Sequence, residues 1–290
     1  MRRAASATVA PALLRISANR SPSPLLAPVT TATLPLRFTP WLIDSSRFSV
    51  GLMVGPGRRG VKGLAGSGVL RYPNGMRIEI VSDVICPWCF IGKRRLEQAM
   101  AQRPDIDFEI GWRPFQLNPD MPREGADRKS YLEAKFGGPA RAKEIYARVA
   151  AEGAKENIAF DFDSIKRTPN TLAAHSVLRW ALSAGVQNAL KERLFRLYFL
   201  EGQDIGDHQV LADAAAAEGM DGALVKALLD EGRDTDIIEN EDRMARELGI
   251  TGVPFFIFER RYGVSGAQTP DVLLQVIDKI AAEPPGTDQD

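Results

Sequence analysis

Two cysteines, the only two in 290 residues, stand as Cys86-Pro87-Trp88-Cys89 at the end of an apolar run from Met76 to Ile85. A Cys-x-x-Cys delivered by a strand into the first turn of a helix fixes the chain path: both sulfurs converge only if the backbone turns sharply there. The first sulfur then lies among free backbone N–H groups and the positive end of the helix dipole, which favour a thiolate. A thiolate so placed is a nucleophile, and two thiols at this spacing can close a small disulfide. The pattern therefore points to redox chemistry. Two cysteines are too few for a structural disulfide framework.

Around this motif the hydrophobic periodicity alternates between sheet and helix. Ile78 and Ile80 alternate with charged neighbours, predicting a strand up to about Asp83, and Cys89, Leu96 and Met100 share one face of a helix that Pro104 ends. Ile106, Phe108, Ile110 and Trp112 alternate with Asp107, Glu109 and Gly111, a second strand, so the opening is a βαβ unit. After Pro114 helical stripes take over, at 128–153, 170–184, 187–200, 208–218, 221–230 and 235–248. Asp207 is the expected N-cap of the fourth, and Thr168-Pro169 is expected to open the second. Phe255 to Phe258, a turn at Glu259 to Arg261 and Tyr262 to Val264 predict a hairpin, followed by a helix from Thr269 to about Ala282. The whole order reads as an α/β fold: a thioredoxin-like sheet at 76–285 carrying a large all-helical insertion at about 115–249.

Residues 1–75 read differently. They hold ten Lys or Arg against one acid, Asp44, a balance of +9, while the remainder has 27 basic against 36 acidic residues, a balance of −9. Pro22, Pro24, Pro28, Pro35, Pro40 and Pro56, many Ser and Thr, and a glycine-rich tail from Gly51 to Gly68 leave no sustained period, so a disordered basic extension is expected. Two readings stand open: an organellar transit peptide, Arg-rich and acid-poor, or an upstream extension ahead of a start at Met76. The acidic main region argues against nucleic acid as partner. No stretch approaches the roughly 18 to 20 apolar residues of a membrane span, and a soluble, cytoplasmic protein is expected, with organellar import as the alternative.

Five blocks in order resemble a known family. Ser82-Asp-Val-Ile-Cys-Pro-Trp-Cys-Phe-Ile-Gly92, Arg113-Pro-Phe-Gln-Leu-Asn-Pro-Asp120, Pro169-Asn-Thr171 with His175, Glu201-Gly-Gln-Asp-Ile-Gly206, and Gly252-Val-Pro254 with Val264-Ser-Gly-Ala-Gln268 look like the DsbA-like thioredoxin-fold oxidoreductases of the FrnE branch. These are related to 2-hydroxychromene-2-carboxylate isomerase and kappa-class glutathione transferase. The resemblance covers roughly 76–283 and implies a DsbA-like fold and thiol-disulfide oxidoreductase activity. It also implies that Pro254 is the cis-proline facing the Cys-x-x-Cys, whose preceding backbone groups pair with an extended substrate.

On this reading Cys86 is the exposed attacking sulfur, with a thiolate favoured within the range of about 3.5 to 7.5 known for such motifs, and Cys89 is the resolving thiol. Pro87 stiffens the turn and Trp88 adds an apolar platform. Trp88 supplies no ionisable proton, so a less oxidising pair is expected than with His at that position. Val253 and Pro254 position the substrate. No bound cofactor or metal is expected; the redox-active disulfide Cys86–Cys89 is the working group, glutathione is a candidate co-substrate, and the substrate is a disulfide-bearing protein or small thiol, with the recycling partner unassigned. A zinc site would need Cys86, Cys89, His175 and His208 to converge and is not expected.

His175 shares a stripe with Leu172, Leu178 and Leu182 and reads as packed and hydrogen-bonded, His208 as a surface residue, and Asp83 and Glu79 as a solvated acidic strand end. Two other functions compete: a glutathione-dependent isomerase or transferase, for which one thiol or hydroxyl suffices, and a non-catalytic peptide-binding holdase using an apolar groove around Phe195 to Leu200.

Overall fold

A computed structural model of the chain describes residues 75–283 and the two-residue strand β1 (Leu34–Pro35). The expected disorder of the extension falls, apart from β1 and Gly75, outside the described residues. The sheet is built from β2 (Gly75–Ser82), β3 (Asp107–Pro114), β6 (Phe255–Phe258) and β7 (Tyr262–Ser265), with β1 on the β7 edge, in the order β1-β7-β6-β2-β3. β2 and β3 run parallel, pairing Ile78 with Ile110 and Ile80 with Trp112; β6 runs antiparallel to β2, pairing Ile78 with Phe258 and Ile80 with Phe256. Ile78, Ile80, Phe256 and Phe258 are all fully buried, so the alternation seen in the sequence marks the central face. Two further short strands, β4 (Ala126–Asp127) and β5 (Arg167–Thr168), pair with each other in the insertion. This is a DsbA-like thioredoxin fold.

The helix α1 (Pro87–Ala101) connects β2 to β3 and packs against α9 (Pro270–Ala281), the last helix. Between β3 and β6 lie α2 (Arg128–Phe136), α3 (Pro139–Lys155), α4 (Leu172–Ser183), α5 (Gln187–Phe199), α6 (His208–Ala217), α7 (Gly222–Asp230) and α8 (Thr235–Glu247). The single stripe expected over 128–153 is two helices. Gly137 adopts φ 75° and its N–H closes on the Glu133 carbonyl, a left-handed stop that a side chain would resist, and Pro139 opens the next helix at its first position. The expected opening at Thr168-Pro169 is also displaced. Thr168 belongs to β5, and α4 begins at Leu172, where the Asn170 side chain accepts the Leu172 N–H at 2.9 Å. Asp207 does cap α6, accepting from Gln209 and Val210.

Gln187 is one of the side chains that fasten the insertion to the sheet. Gln187, at the start of α5, accepts the Trp112 N–H at 2.8 Å and donates to the Trp112 and Leu178 carbonyls at 3.1 Å each, continuing the ladder beyond the β3 edge. Over the next three turns of the same helix face come Lys191, Leu194, Phe195 and Tyr198, all fully buried. The apolar groove expected around Phe195 to Leu200 is therefore filled: Phe195 stacks on Phe90 of α1 at 5.0 Å and 15°, and Phe199 meets the same ring at 6.3 Å. Those rings glue the insertion to the helix that carries the cysteines.

Candidate active site

Cys86 occupies the N-cap of α1 with extended backbone (φ −93°, ψ 111°), and Pro87, which lacks an N–H, takes the first helical position. The Cys86 carbonyl accepts the Cys89 and Phe90 N–H groups at 3.0 and 3.4 Å, so the two thiols sit on one turn, both reduced. Val253 and Pro254 are joined by a cis peptide bond, and the Cys86 thiol donates to the Val253 carbonyl at 3.6 Å. Trp88 is half-buried beside the pair. Gly92, on the second turn of α1, makes this approach feasible: a Cβ there would lie 2.9 Å from Pro254 Cγ and 3.2 Å from Phe256 Cζ. Sequence reading and structure thus bring Cys86, Pro87, Trp88, Cys89, Val253 and Pro254 to one place.

Three expectations about this place need correction. Cys86 is 1% exposed rather than open, with the Val253 carbonyl against its sulfur. Burial pushes the Cys86 thiol well up, its hydrogen bond to Cys89 and the charge of Cys89 adding to the rise. At Cys89 burial acts the same way, but the Cys86 hydrogen bond, the Lys191 charge and the Ser82 hydroxyl outweigh it and hold that thiol below its ordinary value. The two thiols titrate as one pair, the first proton leaving below the ordinary thiol range and the second held above it. The thiolate is shared within the pair instead of being confined to Cys86.

Asp83 is the second correction. It is wholly buried, accepting the Leu117 N–H at 2.7 Å and the Ile85 N–H at 3.4 Å, because the segment after β3 folds over the β2 end. Glu79 is likewise largely covered, held by Arg113 at 2.6 Å and Arg77 at 3.0 Å. The third concerns the histidine stripe. His175 is buried with its Nε2 3.6 Å from Asp83 Oδ1, too long for a hydrogen bond, whereas Leu182 on the same stripe is half exposed. His208 lies apart on α6, paired with Asp230 at 2.8 Å.

Lys191 was not singled out in the sequence. It is 0% exposed, its Nζ has no hydrogen-bond partner among the described residues, and it stands 4.7 Å from the Phe195 ring centre and 5.1 Å from that of Trp112. Burial brings it down to about 8, against the pull of Cys89, Asp83 and Cys86. A signal was present: a lysine among Gln187, Leu194, Phe195 and Tyr198 at helical spacing interrupts an inward stripe.

Residues 77–278 match the DSBA-like thioredoxin domain family. The chain belongs to that family, which gathers thiol-disulfide oxidoreductases and isomerases. Its fold matches the crystal structure of a probable DsbA oxidoreductase from Streptomyces coelicolor with a TM-score of 0.67 and 33% identity, over 74% of this chain and 94% of that one. Uncharacterized protein YwbO of Bacillus subtilis (strain 168) is 28% identical over 203 residues, 70% of this chain and 96% of that protein. The structure of a 2-hydroxychromene-2-carboxylate isomerase shares the fold at a TM-score of 0.50 and 15% identity, over 70% of this chain and 94% of that one. Among the described residues no helix is long and apolar enough to cross a membrane.

Proposed function

We propose that this DsbA-like protein is a dithiol thiol-disulfide oxidoreductase. Cys86 attacks a substrate disulfide, the shared proton passing to Cys89; a mixed disulfide forms through Cys86 and the first substrate thiolate leaves. Cys89 then attacks the Cys86 sulfur, closing the Cys86–Cys89 disulfide and releasing the second thiolate. The dithiol loses two electrons and the substrate disulfide gains two. The observation that carries this reading is the reduced pair on the first turn of α1, facing the Val253 carbonyl beside cis-Pro254. Pro87 and Trp88 would shape the surface beside the sulfur, and the Val253 carbonyl would be shared with an extended disulfide-bearing peptide. Glutathione or a similar small thiol is the proposed co-substrate that returns the pair to the dithiol, in a reducing, cytoplasmic-type compartment.

The test is reduction of insulin by dithiothreitol or glutathione. Wild type is expected to catalyse it, Cys86→Ser to abolish it, and Cys89→Ser to stall as a long-lived mixed disulfide visible as an added mass. A double-serine variant as active as wild type would overturn the assignment. Full turnover of Cys89→Ser on a non-disulfide substrate with glutathione would instead make the protein an isomerase of the one-thiol type.

A further inference from the structure

The redox turn hangs on Asp83, and Asp83 hangs on a segment that the helical insertion holds. The Asp83 carbonyl accepts the Cys86 N–H at 3.3 Å, and its carboxylate accepts the Ile85 N–H at 3.4 Å. Its own N–H is among the donors that keep the Cys89 thiol low. The second carboxylate oxygen goes to the Leu117 N–H at 2.7 Å, in the stretch that leaves β3. The β3 ladder ends at Pro114, opposite Ser82. Phe115, Gln116 and Leu117 therefore lie past the sheet, and their backbone groups, buried at Phe115 and Gln116, need partners from elsewhere.

Those partners come from α8, more than a hundred residues along the chain. Asp242, itself buried, accepts the Gln116 N–H at 2.7 Å, and Arg246, one turn on, donates to the Gln116 carbonyl. Arg246 bonds both Asp242 oxygens, at 2.9 and 3.1 Å, and its guanidinium stands 4.2 Å from the centre of the Phe115 ring. One ion pair thus clasps both backbone groups of Gln116, as a strand neighbour would. Asn118, on the other flank, accepts from Tyr131 at 2.6 Å and Lys135 at 3.0 Å. A buried carboxylate in an ion pair adds little to stability. What it fixes here is the path of the backbone that carries Leu117 to Asp83.

We propose that Asp242 is a positioning residue of the redox pair, holding Asp83 against the Cys86–Cys89 turn by way of Gln116 and Leu117. The proposal rests on the oxidoreductase reading, because it gives Asp242 a part in setting how readily the pair yields electrons. Asp242 acts at a distance through bonds in series: to Gln116, from the adjoining Leu117 to Asp83, and from Asp83 to Cys86. With the clasp open, Leu117 no longer fixes the Asp83 carboxylate, the Asp83 peptide turns, and a donor to the Cys89 sulfur is lost. The thiolate is then less stable, and the reduced pair gives up its electrons more readily. Loss of the Asp242 negative charge alone works the other way, since a departing anion favours a neighbouring thiolate. Lys191, Lys135 and Tyr146, which also couple to the pair, stay in place whichever way Asp242 is changed.

Asp242→Ala removes the acceptor of the Gln116 N–H, and Asp242→Asn keeps an oxygen in its place. Thiolate absorbance is titrated, and each protein is equilibrated with glutathione and glutathione disulfide, quenched and weighed. In the alanine variant the first thiol titration should rise by about one pH unit, a tenfold loss of thiolate and the low end of what one hydrogen bond to a charged group is worth. Above that titration the exchange of dithiol and glutathione disulfide for protein disulfide and two glutathiones should move toward oxidised protein by the same factor. Asparagine should return most of both shifts. An alanine variant that melts lower yet titrates and equilibrates as wild type would make the clasp purely structural and overturn the proposal. A downward shift, the mark of lost charge alone, would overturn it too, as would an asparagine variant shifted as far as alanine. Should Asp242→Ala not fold, Arg246→Met is titrated at about 1 M salt, where the charge of that half-exposed side chain is screened: an upward shift that persists supports the clasp, and one that vanishes overturns it. Failure of the oxidoreductase reading would look different, as a wild-type protein that closes no internal disulfide with glutathione disulfide while the thiol titration still moves in Asp242→Ala.

Discussion

Arg95 is the residue whose loss should be felt through the whole site. From α1 it donates to Glu156 at 2.6 Å and Glu152 at 2.9 Å, both from the α3 region, and to the Ala267 carbonyl at 2.7 Å in the segment after β7. Arg95 and Glu156 are nearly buried, and Glu156 retains one other partner, Gln98, at 2.7 Å. Arg95→Met preserves the aliphatic stem and removes all three bonds. It strands a carboxylate out of water, a change that costs about 3 to 5 kcal/mol when one member of a buried pair is removed. Urea unfolding at pH 7, followed by far-ultraviolet dichroism, should register a loss of about that size with an unchanged slope. Because the penalty lies in the stranded Glu156, adding Glu156→Gln should return a large part of it, with a coupling of about 1.5 to 3 kcal/mol in a double-mutant cycle. A single-variant loss below about 1 kcal/mol, or strict additivity in the cycle, would mean that water reaches the pair and that the three segments are not tied through Arg95.

Gly92→Ala should trade a helix-propensity gain of about 1 kcal/mol against overpacking of about 1 to 3 kcal/mol, because the new methyl would stand 2.9 Å from Pro254 Cγ. Its insulin-reduction rate is expected to fall more than its urea midpoint, and a fully active, more stable variant would show that α1 and the proline segment are free to separate. Glu79 is raised by burial but brought below its ordinary 4.5 by Arg113 and Arg77. Its folded value is therefore below its unfolded one, so its stabilisation is complete above 4.5 and is lost as pH falls through the folded value. Glu79→Gln should cost about 1.5 kcal/mol near pH 7, and the difference from wild type should vanish in acid; a pH-independent difference would refute the ion-pair account.

Much of this architecture was legible because it obeys simple periods. The alternation of Ile78 and Ile80 with charged residues is the sheet face, and the spacing of Cys86 and Cys89 is a helix turn. What could not be read were the contacts that join distant segments. Asp83 sits at a strand end, where local reasoning assigns water, and only the return of the chain at Leu117 buries it. Lys191 looks solvated by composition; its burial depends on Gln187 anchoring α5 to Trp112. A helix N-terminus usually leaves its first side chain open, and the Val253 carbonyl that stands against Cys86 is remote in sequence. The break at Gly137 stands in the sequence as a Gly-Gly-Pro that the reading of one stripe over 128–153 leaves out.

The ring stack of Phe90 on Phe195 and Phe199 bears on how this protein comes apart. Phe90 follows Cys89 directly, so the first turn of α1 and the middle of α5 bury one another's largest surfaces, and Phe160 adds a third edge to the stack. Segments that share such a core open together, as one cooperative unit in hydrogen exchange. Amides of the dithiol turn should then exchange at the same free energy as those of α5, although nearly a hundred residues separate them in sequence, and a version of the domain with the helices excised would be left with its redox turn unsupported.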